Sequence, residues 1–546
     1  MKQRATYREA LGFGFASFAV IVVLGIVSSI AIARMYGVRV VGEYALVLAP
    51  TTAVGFLSSV REQAALVREL AVLPHRAPRI TGLFGAVMVF SAGLTLAVST
   101  VTMVITYFVF KGPVGHPELF VPALVTMAGF VVLYNTSWNL DMVFSAFRAG
   151  RQLFWIRLHE AVAFLSAAIV GGVVLDDIWG LVIATLLSYT TVVLHRLIVV
   201  RSFMRLRVDR DELREGFRTL PVLIKFGLKL TPGAVADGLS NQAGTWMLGI
   251  SSSVVAVGAY SRAWLLARRM ADLNTKVAEM LFPTLIERRK VGDHAGFDRA
   301  LIDSVRYTGV GLLLPAAAGG GAAHGIMRVF GPGFDPAADA LALLLVMPAL
   351  TVMTSAQGLA LLAHDRPLTQ TFVQIGRMVF TIGATVPLTL AMGITGTALA
   401  VTAGYAIELV VRWQMTRRYL SQPPSALWPH REMVATLAAF AAGFASARLT
   451  DSALPTLPGV LAALAVGTIV YAVTLFLTGG LNSRDRERMV SVWDGIRDRV
   501  GRPGDPGGPS AGVDPAPDPA PAPEPPPGTR PTAQAGSRTS TPRRSS

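Results

Sequence analysis

Residues 81–110 read TGLFGAVMVFSAGLTLAVSTVTMVITYFVF, a run without a single charged side chain. A helix needs about 20 apolar residues to cross a hydrocarbon core about 30 Å thick, so this stretch is expected to be a membrane-crossing helix. Comparable runs precede it at 11–34 and 40–60 and follow it at 118–145, 157–175 and 178–200. After a basic connector they resume at 230–250, 255–286, 308–330, 338–363, 368–391 and 395–415, with two more at 432–449 and 457–479. The spacing predicts an all-α, polytopic membrane helix bundle of about 14 transmembrane helices. Composition agrees: 52% of the 546 residues are hydrophobic, only 15% are charged, and the mean hydropathy is +0.52, outside the soluble globular range.

A formal net charge of +15 would suit a nucleic-acid partner if the cations formed one patch. They fall instead in alternate short connectors: Arg61, Arg68, Arg76 and Arg79, then Arg148, Arg151 and Arg157, then Arg201 to Arg218, Arg288 to Lys290, and Arg417, Arg418 and Arg431. That asymmetry marks a cytoplasmic face and excludes nucleic acid as the reason for the charge. It predicts a multi-pass protein of the cytoplasmic membrane with both termini inside, to which Arg34, Arg39, Lys111, Arg328 and Arg448 are exceptions. The N-terminal stretch has no convincing cleavage site and reads as a first span. With no cysteine there is neither a disulfide framework nor a thiolate metal site. Residues 480–500 suit either an amphipathic segment or a plain solvated helix, and 501–546, rich in Pro, Gly, Ser and Ala, are expected to form a disordered cytoplasmic tail.

The two halves repeat. VGEYALVLA (Val41 to Ala49) corresponds to VGAYSRAWLLA (Val257 to Ala267), with Gly42 and Gly258 separated by 258 − 42 = 216. FRAGRQL (Phe147 to Leu153) corresponds to LAHDRPL (Leu362 to Leu368), with Arg151 and Arg366 separated by 366 − 151 = 215. Two matches at offsets within one residue of each other predict a duplication of six spans each, and an even number leaves the repeats parallel. The expected organisation is an N-lobe at 1–200 (helices 1–6), a basic cytoplasmic connector at 201–229, a C-lobe at 230–415 (helices 7–12) and helices 13–14 at 416–479. The lobes are expected to be related by a pseudo-two-fold axis along the membrane normal, with a cleft between them.

The span-and-loop unit ARMYGVRVVGEYALVLA, the segment VGAYSRAWLLARRMADLNTKVAEMLFPTL, FGPGFDPAADALALLLVMPAL and LLAHDRPL together resemble the polysaccharide transporter family, the O-antigen and lipid-linked oligosaccharide flippases of the multidrug/oligosaccharidyl-lipid/polysaccharide exporter superfamily. The resemblance implies a fourteen-helix, two-lobed flippase, not an enzyme, moving a polyprenyl-pyrophosphate-linked glycan by alternating access, as in lipopolysaccharide biosynthesis. Its implied partners are the glycan lipid, membrane lipids and the glycosyltransferases or polymerase of the same pathway.

Ionisable groups at membrane depth are costly and mark function where they face protein or water. Arg262, Leu265, Arg269, Asp272, Lys276 and Glu279 recur at steps of three and four, one face of one helix. Arg262 and Arg269 suit a pyrophosphate or a lobe–lobe pair, whereas Asp272, Lys276 and Glu279 suit structural ion pairs. Asp237 and Asn241, one turn apart, and Arg377 are further cleft candidates. Asp237, Asp141 and Glu408 are candidates for ion coupling, although Asp237 equally suits a counter-ion and Glu408 a pair with Arg377. No catalytic residue, cofactor or metal is expected, since neither a Walker loop nor a His-rich spacing is evident. A multidrug cation antiporter, a peptidoglycan-precursor flippase, a membrane-embedded glycan polymerase and an assembly scaffold remain as alternatives.

Overall fold

A computed structural model describes the chain from residue 7 to 480, apart from 59–65, 68, 71, 72, 74–76, 148, 206, 208, 229, 230, 422, 424–428, 455 and 456 and the side chains of 7–19, 226, 275, 276, 279 and 280. The expected C-terminal tail and nearly all of the candidate amphipathic segment lie outside the described residues, which are helical with no strand.

Helix α1 (Tyr7–Leu57) doubles back at Gly37, whose φ of 72° is open to glycine at no steric cost. The reversal shows in its neighbours: Gly25 lies on Arg269, whereas Leu46 lies on Gly249 and Phe56 on Gly238. Helix α2 (Pro78–Lys111) is the uncharged run. Helices α3 (Phe120–Gly129) and α4 (Asn135–Ala146) are joined by a π-turn at Phe130–Tyr134. Helices α5 (Gly150–Val174) and α6 (Ile178–Val200) form a tight pair, with Asp177 capping α6 by accepting from the backbone N–H of Trp179 at 2.9 Å. The basic connector contains helix α7 (Arg210–Leu228), which packs along α2.

The second half contains α8 (Thr231–Ser251), α9 (Val254–Ala271), α10 (Leu273–Val291) and α11 (His294–Gly321), with α12 (Ala323–Phe330) bent 70° from α11. Then come α13 (Ala338–Leu344), α14 (Met347–Ala363) and α15 (Pro367–Thr416), which doubles back at Gly393, where φ is 57°. A hydroxyl contact of 2.8 Å between Thr389 and Thr397 closes that hairpin. Helices α16 (His430–Ala453) and α17 (Leu457–Leu477) pair and pack on α11, where the Tyr471 hydroxyl donates to the Val310 carbonyl at 2.7 Å.

Among the described residues nine helices are long and apolar enough to cross a membrane, or ten with the bent α11–α12 pair. That tally counts α1 and α15 once each, although each reverses within itself. The expected spans at 230–250 and 255–286 are less apolar, because α8 carries Asn241 and Gln242 beside Asp237 and α9 carries Arg262, Arg268 and Arg269. Both pack against α1, where Arg262 reaches Ser29 and Arg269 lies on Gly25. Elsewhere large apolar side chains point outward, such as Phe108 at 65%, Val173 at 76% and Phe372 at 69% exposure, which is how lipid-facing surface looks and far exceeds what water tolerates.

The halves meet through the duplicated glycines. A Cβ built on Gly42 would lie 1.9 Å from the Val254 carbonyl oxygen, and one built on Gly258 would lie 2.0 Å from that of Val38. The contact is reciprocal at one offset, since 254 − 38 and 258 − 42 both equal 216. Equivalent backbones that touch each other in this way surround a two-fold axis, and only small residues permit such an approach between helices. Replacing Gly258 by Val is therefore expected to cost on the order of 2 kcal/mol through overpacking, seen as a lower melting temperature in detergent. Gly93→Val, where a Cβ would meet nothing within 4 Å, is expected to melt like the parent.

Candidate functional site

The membrane-embedded charges separate into three groups. A cavity of about 500 Å³ lies between the two limbs of α1, α5, α6, α8 and α9, and its polar lining includes Ser29, Arg157, Glu160, Tyr189, Arg262 and Arg269. Arg262 is 8% exposed, and one guanidinium nitrogen donates to the Ser29 hydroxyl at 2.9 Å across the two halves. Its Nε has no hydrogen-bond partner, and among the described residues it makes no ion pair. Arg269 approaches Asp272 only at 3.8 Å and also has an Nε without a partner. Since a buried guanidinium without a counter-charge is costly, these two form the strongest anion-receptive feature of the cavity.

A second cavity of about 180 Å³ lies among α8, α9, α10, α14 and α15. Here Arg377 pairs with Asp237, stands 3.4 Å from Glu408 and lies 4.2 Å over the Tyr405 ring. Glu408 also accepts from Arg412 at 2.6 and 2.8 Å. The Tyr405 hydroxyl donates to Asn241 at 3.0 Å, and Asn241 donates to Asp237 at 3.4 Å. The expected Arg377–Glu408 pair is present, within a network that joins α8 to both limbs of α15.

The third group was not anticipated as a group. Arg196, 1% exposed, donates to Asp141 at 2.8 Å, to Glu160 at 3.3 Å and to the Ser137 hydroxyl, while Arg157 pairs with the same two carboxylates. Arg157, read from the sequence as part of an inner connector, stands two turns inside α5 and faces the cavity, because α5 begins at Gly150. A signal for this group existed: Arg196 and Arg412 sit at 412 − 196 = 216, the offset of the duplicated glycines.

The sequence candidates thus occupy separate places. Arg262 and Arg269 line the central cavity, Asp237, Arg377 and Glu408 line the second cavity with Asn241 bonded to its edge, and Asp141 belongs to the third group. Asp272 stands 3.8 Å from both Arg268 and Arg269, at the break between α9 and α10. Asp272 keeps a helical φ of −61° and bonds back to the Arg268 carbonyl at 3.1 Å, and the side chains of Lys276 and Glu279 lie outside the described residues. The carboxylates considered for ion coupling, Asp141, Asp237 and Glu408, each contact an arginine. Among the described residues no cluster of three or more His, Asp or Glu side chains could hold a metal ion.

Comparison with known proteins gives three findings. Residues 63–323 match the model of a family described as polysaccharide biosynthesis proteins. The fold matches a solved structure titled "Lipid II flippase MurJ, inward closed conformation" with a TM-score of 0.66 and 13% identity, covering 86% of this chain and 98% of that one. Further matches are the eukaryotic MATE transporter AtDTX14 (TM-score 0.47, 17% identity, 77% and 95% covered) and the Vibrio cholerae MATE transporter VcmN in a bent form (0.44, 15%, 77% and 99%). No curated protein matches in sequence. The family match bears out the resemblance to proteins of polysaccharide biosynthesis, and the fold is shared with the MurJ structure.

Removing the carboxylate at the centre of the third group leaves the most deeply buried guanidinium of the described residues with only Glu160 at 3.3 Å and the Ser137 hydroxyl. Asp141→Leu is expected to cost about 3–5 kcal/mol, the usual penalty for breaking a buried pair, and to lower the melting temperature in detergent. Thr136→Val, at a half-buried position of α4 whose hydroxyl bonds only to the Val132 carbonyl of the same helical segment, is expected to leave it nearly unchanged.

Proposed function

We propose that this multi-pass membrane protein is a flippase for a lipid-linked glycan, carrying a polyprenyl-pyrophosphate oligosaccharide or repeat unit across the cytoplasmic membrane with both chain termini inside. The observation that carries the reading is Arg262: a guanidinium inside the bundle, without a carboxylate, in a cavity of about 500 Å³ that it shares with Arg269. A pyrophosphate offers what that pair lacks, because its oxygens accept charge-assisted, bidentate hydrogen bonds and its charge offsets the desolvation of the two cations. A cationic drug would meet the wrong sign of charge on these arginines, which disfavours the antiporter alternative.

Alternating access needs a site between two bodies that can rock, and Arg262 reaches from α9 in the second half to Ser29 in the first. Ion coupling by Asp141, Asp237 or Glu408 would require an arginine to release its carboxylate, since each is already engaged. The positions of Arg and Lys in the connectors support the proposed orientation.

In vesicles reconstituted with the purified protein, a labelled polyprenyl-pyrophosphate oligosaccharide is expected to exchange leaflets faster than in protein-free vesicles. Arg262→Gln and Arg269→Gln are each expected to slow that exchange by about tenfold or more, equivalent to about 1.4 kcal/mol or more, with protein abundance unchanged. Wild-type rates in both variants would overturn the site. A peptidoglycan-precursor lipid bears the same pyrophosphate, so offering both lipids in the one assay identifies the cargo.

A further inference from the structure

The second cavity differs in chemistry from the central one. Its arginines, Arg268, Arg377 and Arg412, are balanced by Asp237, Asp272 and Glu408, so its formal charge is neutral. The rest of its wall is nearly all hydroxyl and amide, from Thr351, Thr354, Ser355, Gln370, Gln374 and Asn274. Five buried atoms of the lining have no hydrogen-bond partner: Nε of Arg377, Nη1 of Arg412, Oδ1 of Asn274, Oγ1 of Thr351 and Oε1 of Gln370. Arg377 and Arg412 are 4% and 2% exposed, so these are not groups that reach open water. The guanidinium atoms can only donate, the amide oxygens only accept, and the hydroxyl does either. A simple anion would satisfy only the donors and a metal cation only the acceptors. A ligand carrying many hydroxyls, each both donor and acceptor, satisfies the whole set.

The two cavities adjoin. Arg269 lines the central cavity, Arg268 and Asp272 line the second, and Asp272 stands 3.8 Å from both guanidinium groups. A pyrophosphate held at Arg269 therefore places the sugar bonded to it beside the mouth of the neutral cavity. We infer that the second cavity is a glycan subsite, which takes a neutral, polyhydroxylated sugar next to the pyrophosphate while the central cavity takes the charge. The inference rests on the flippase reading and adds to it a source of selectivity: a lipid lacking the sugar leaves the buried polar atoms unmatched, and such a mismatch discriminates strongly.

The test uses the full chain in lipid nanodiscs and two probes, polyprenyl pyrophosphate alone and the same lipid bearing an oligosaccharide. The glycan-bearing lipid is expected to bind about tenfold or more tightly than the bare one, the effect of one or two well-made hydrogen bonds. Thr351→Val combined with Gln370→Leu is expected to bring the two affinities to within about twofold. The bare lipid is expected to bind this variant as it binds the parent, which also reports that the variant is folded. Should the pair fail to fold, Ser355→Ala, which removes one hydroxyl from the same wall, is expected to reduce the preference severalfold. Equal binding of both lipids by the parent, or a preference that survives in the folded variant, would overturn the subsite and leave a cavity that holds water only. A bare lipid that does not bind, or whose binding ignores Arg262→Gln, would instead overturn the flippase reading on which the subsite rests.

Discussion

A guanidinium taken out of water has to be met by carboxylates and hydrogen bonds or it destabilises the fold, and the arrangement of helices here follows from where that requirement is met. Arg196 meets it with Asp141 of α4 and Glu160 of α5, which fastens three consecutive helices of the first half. Arg377 meets it with Asp237 of α8 and Glu408 on the returning limb of α15, which fastens the second half in the same manner. Between these two braced bodies the requirement is not met. Arg262 has the Ser29 hydroxyl and no carboxylate, so the one strongly anion-receptive place in the described bundle is also the place where the two halves adjoin. The matched charges sit within the halves, and the unmatched guanidinium sits between them.

The duplication shows how far that division is built into the chain. Gly42 and Gly258 kept their identity because each lies against the partner repeat's backbone, where a side chain has no room. Arg196 and Arg412 share the same offset yet have different carboxylates: Arg196 reaches Asp141 and Glu160 on two other helices, whereas Arg412 takes Glu408 one turn away on its own helix. The arginine position is common to both repeats, and the solution to its burial is particular to each. The second half, with its ion pair made locally, has a polar cavity where the first half has a compact cluster.

The fold was legible because membrane crossing imposes a length and a composition that survive in any single sequence, and residues 81–110 need little else to be read. The repeat was legible for a related reason, since a helix contact closed by glycine leaves a mark that other residues cannot imitate. Arg262 and Arg269 stood out because seven residues separate them, two turns of helix on one face. The Arg157 and Arg196 cluster did not stand out, because each is close to a run's end, where arginine normally reaches headgroups or water, and only packing decides otherwise. The division of the polar residues into two cavities was also out of reach. It depends on which side of α9 each neighbouring helix packs, and Asp237 and Arg377 lie on α8 and α15, with nothing in their own segments to say so.

Helix α9 is the wall common to both cavities. Arg262 and Arg269 face the central one, and Arg268 with Asp272, one turn apart, faces the other. Its first residues are held against α1 by the Gly42 and Gly258 contact, where backbones already touch and little sliding is available. Its last residues lie against the other limb of α1 through the contact of Gly25 with Arg269, and Asp272 stands 3.8 Å from Arg268 and Arg269. Any movement of α9 carries Arg269 and Arg268 together. Because one helix presents both side chains, the two cavities cannot change independently.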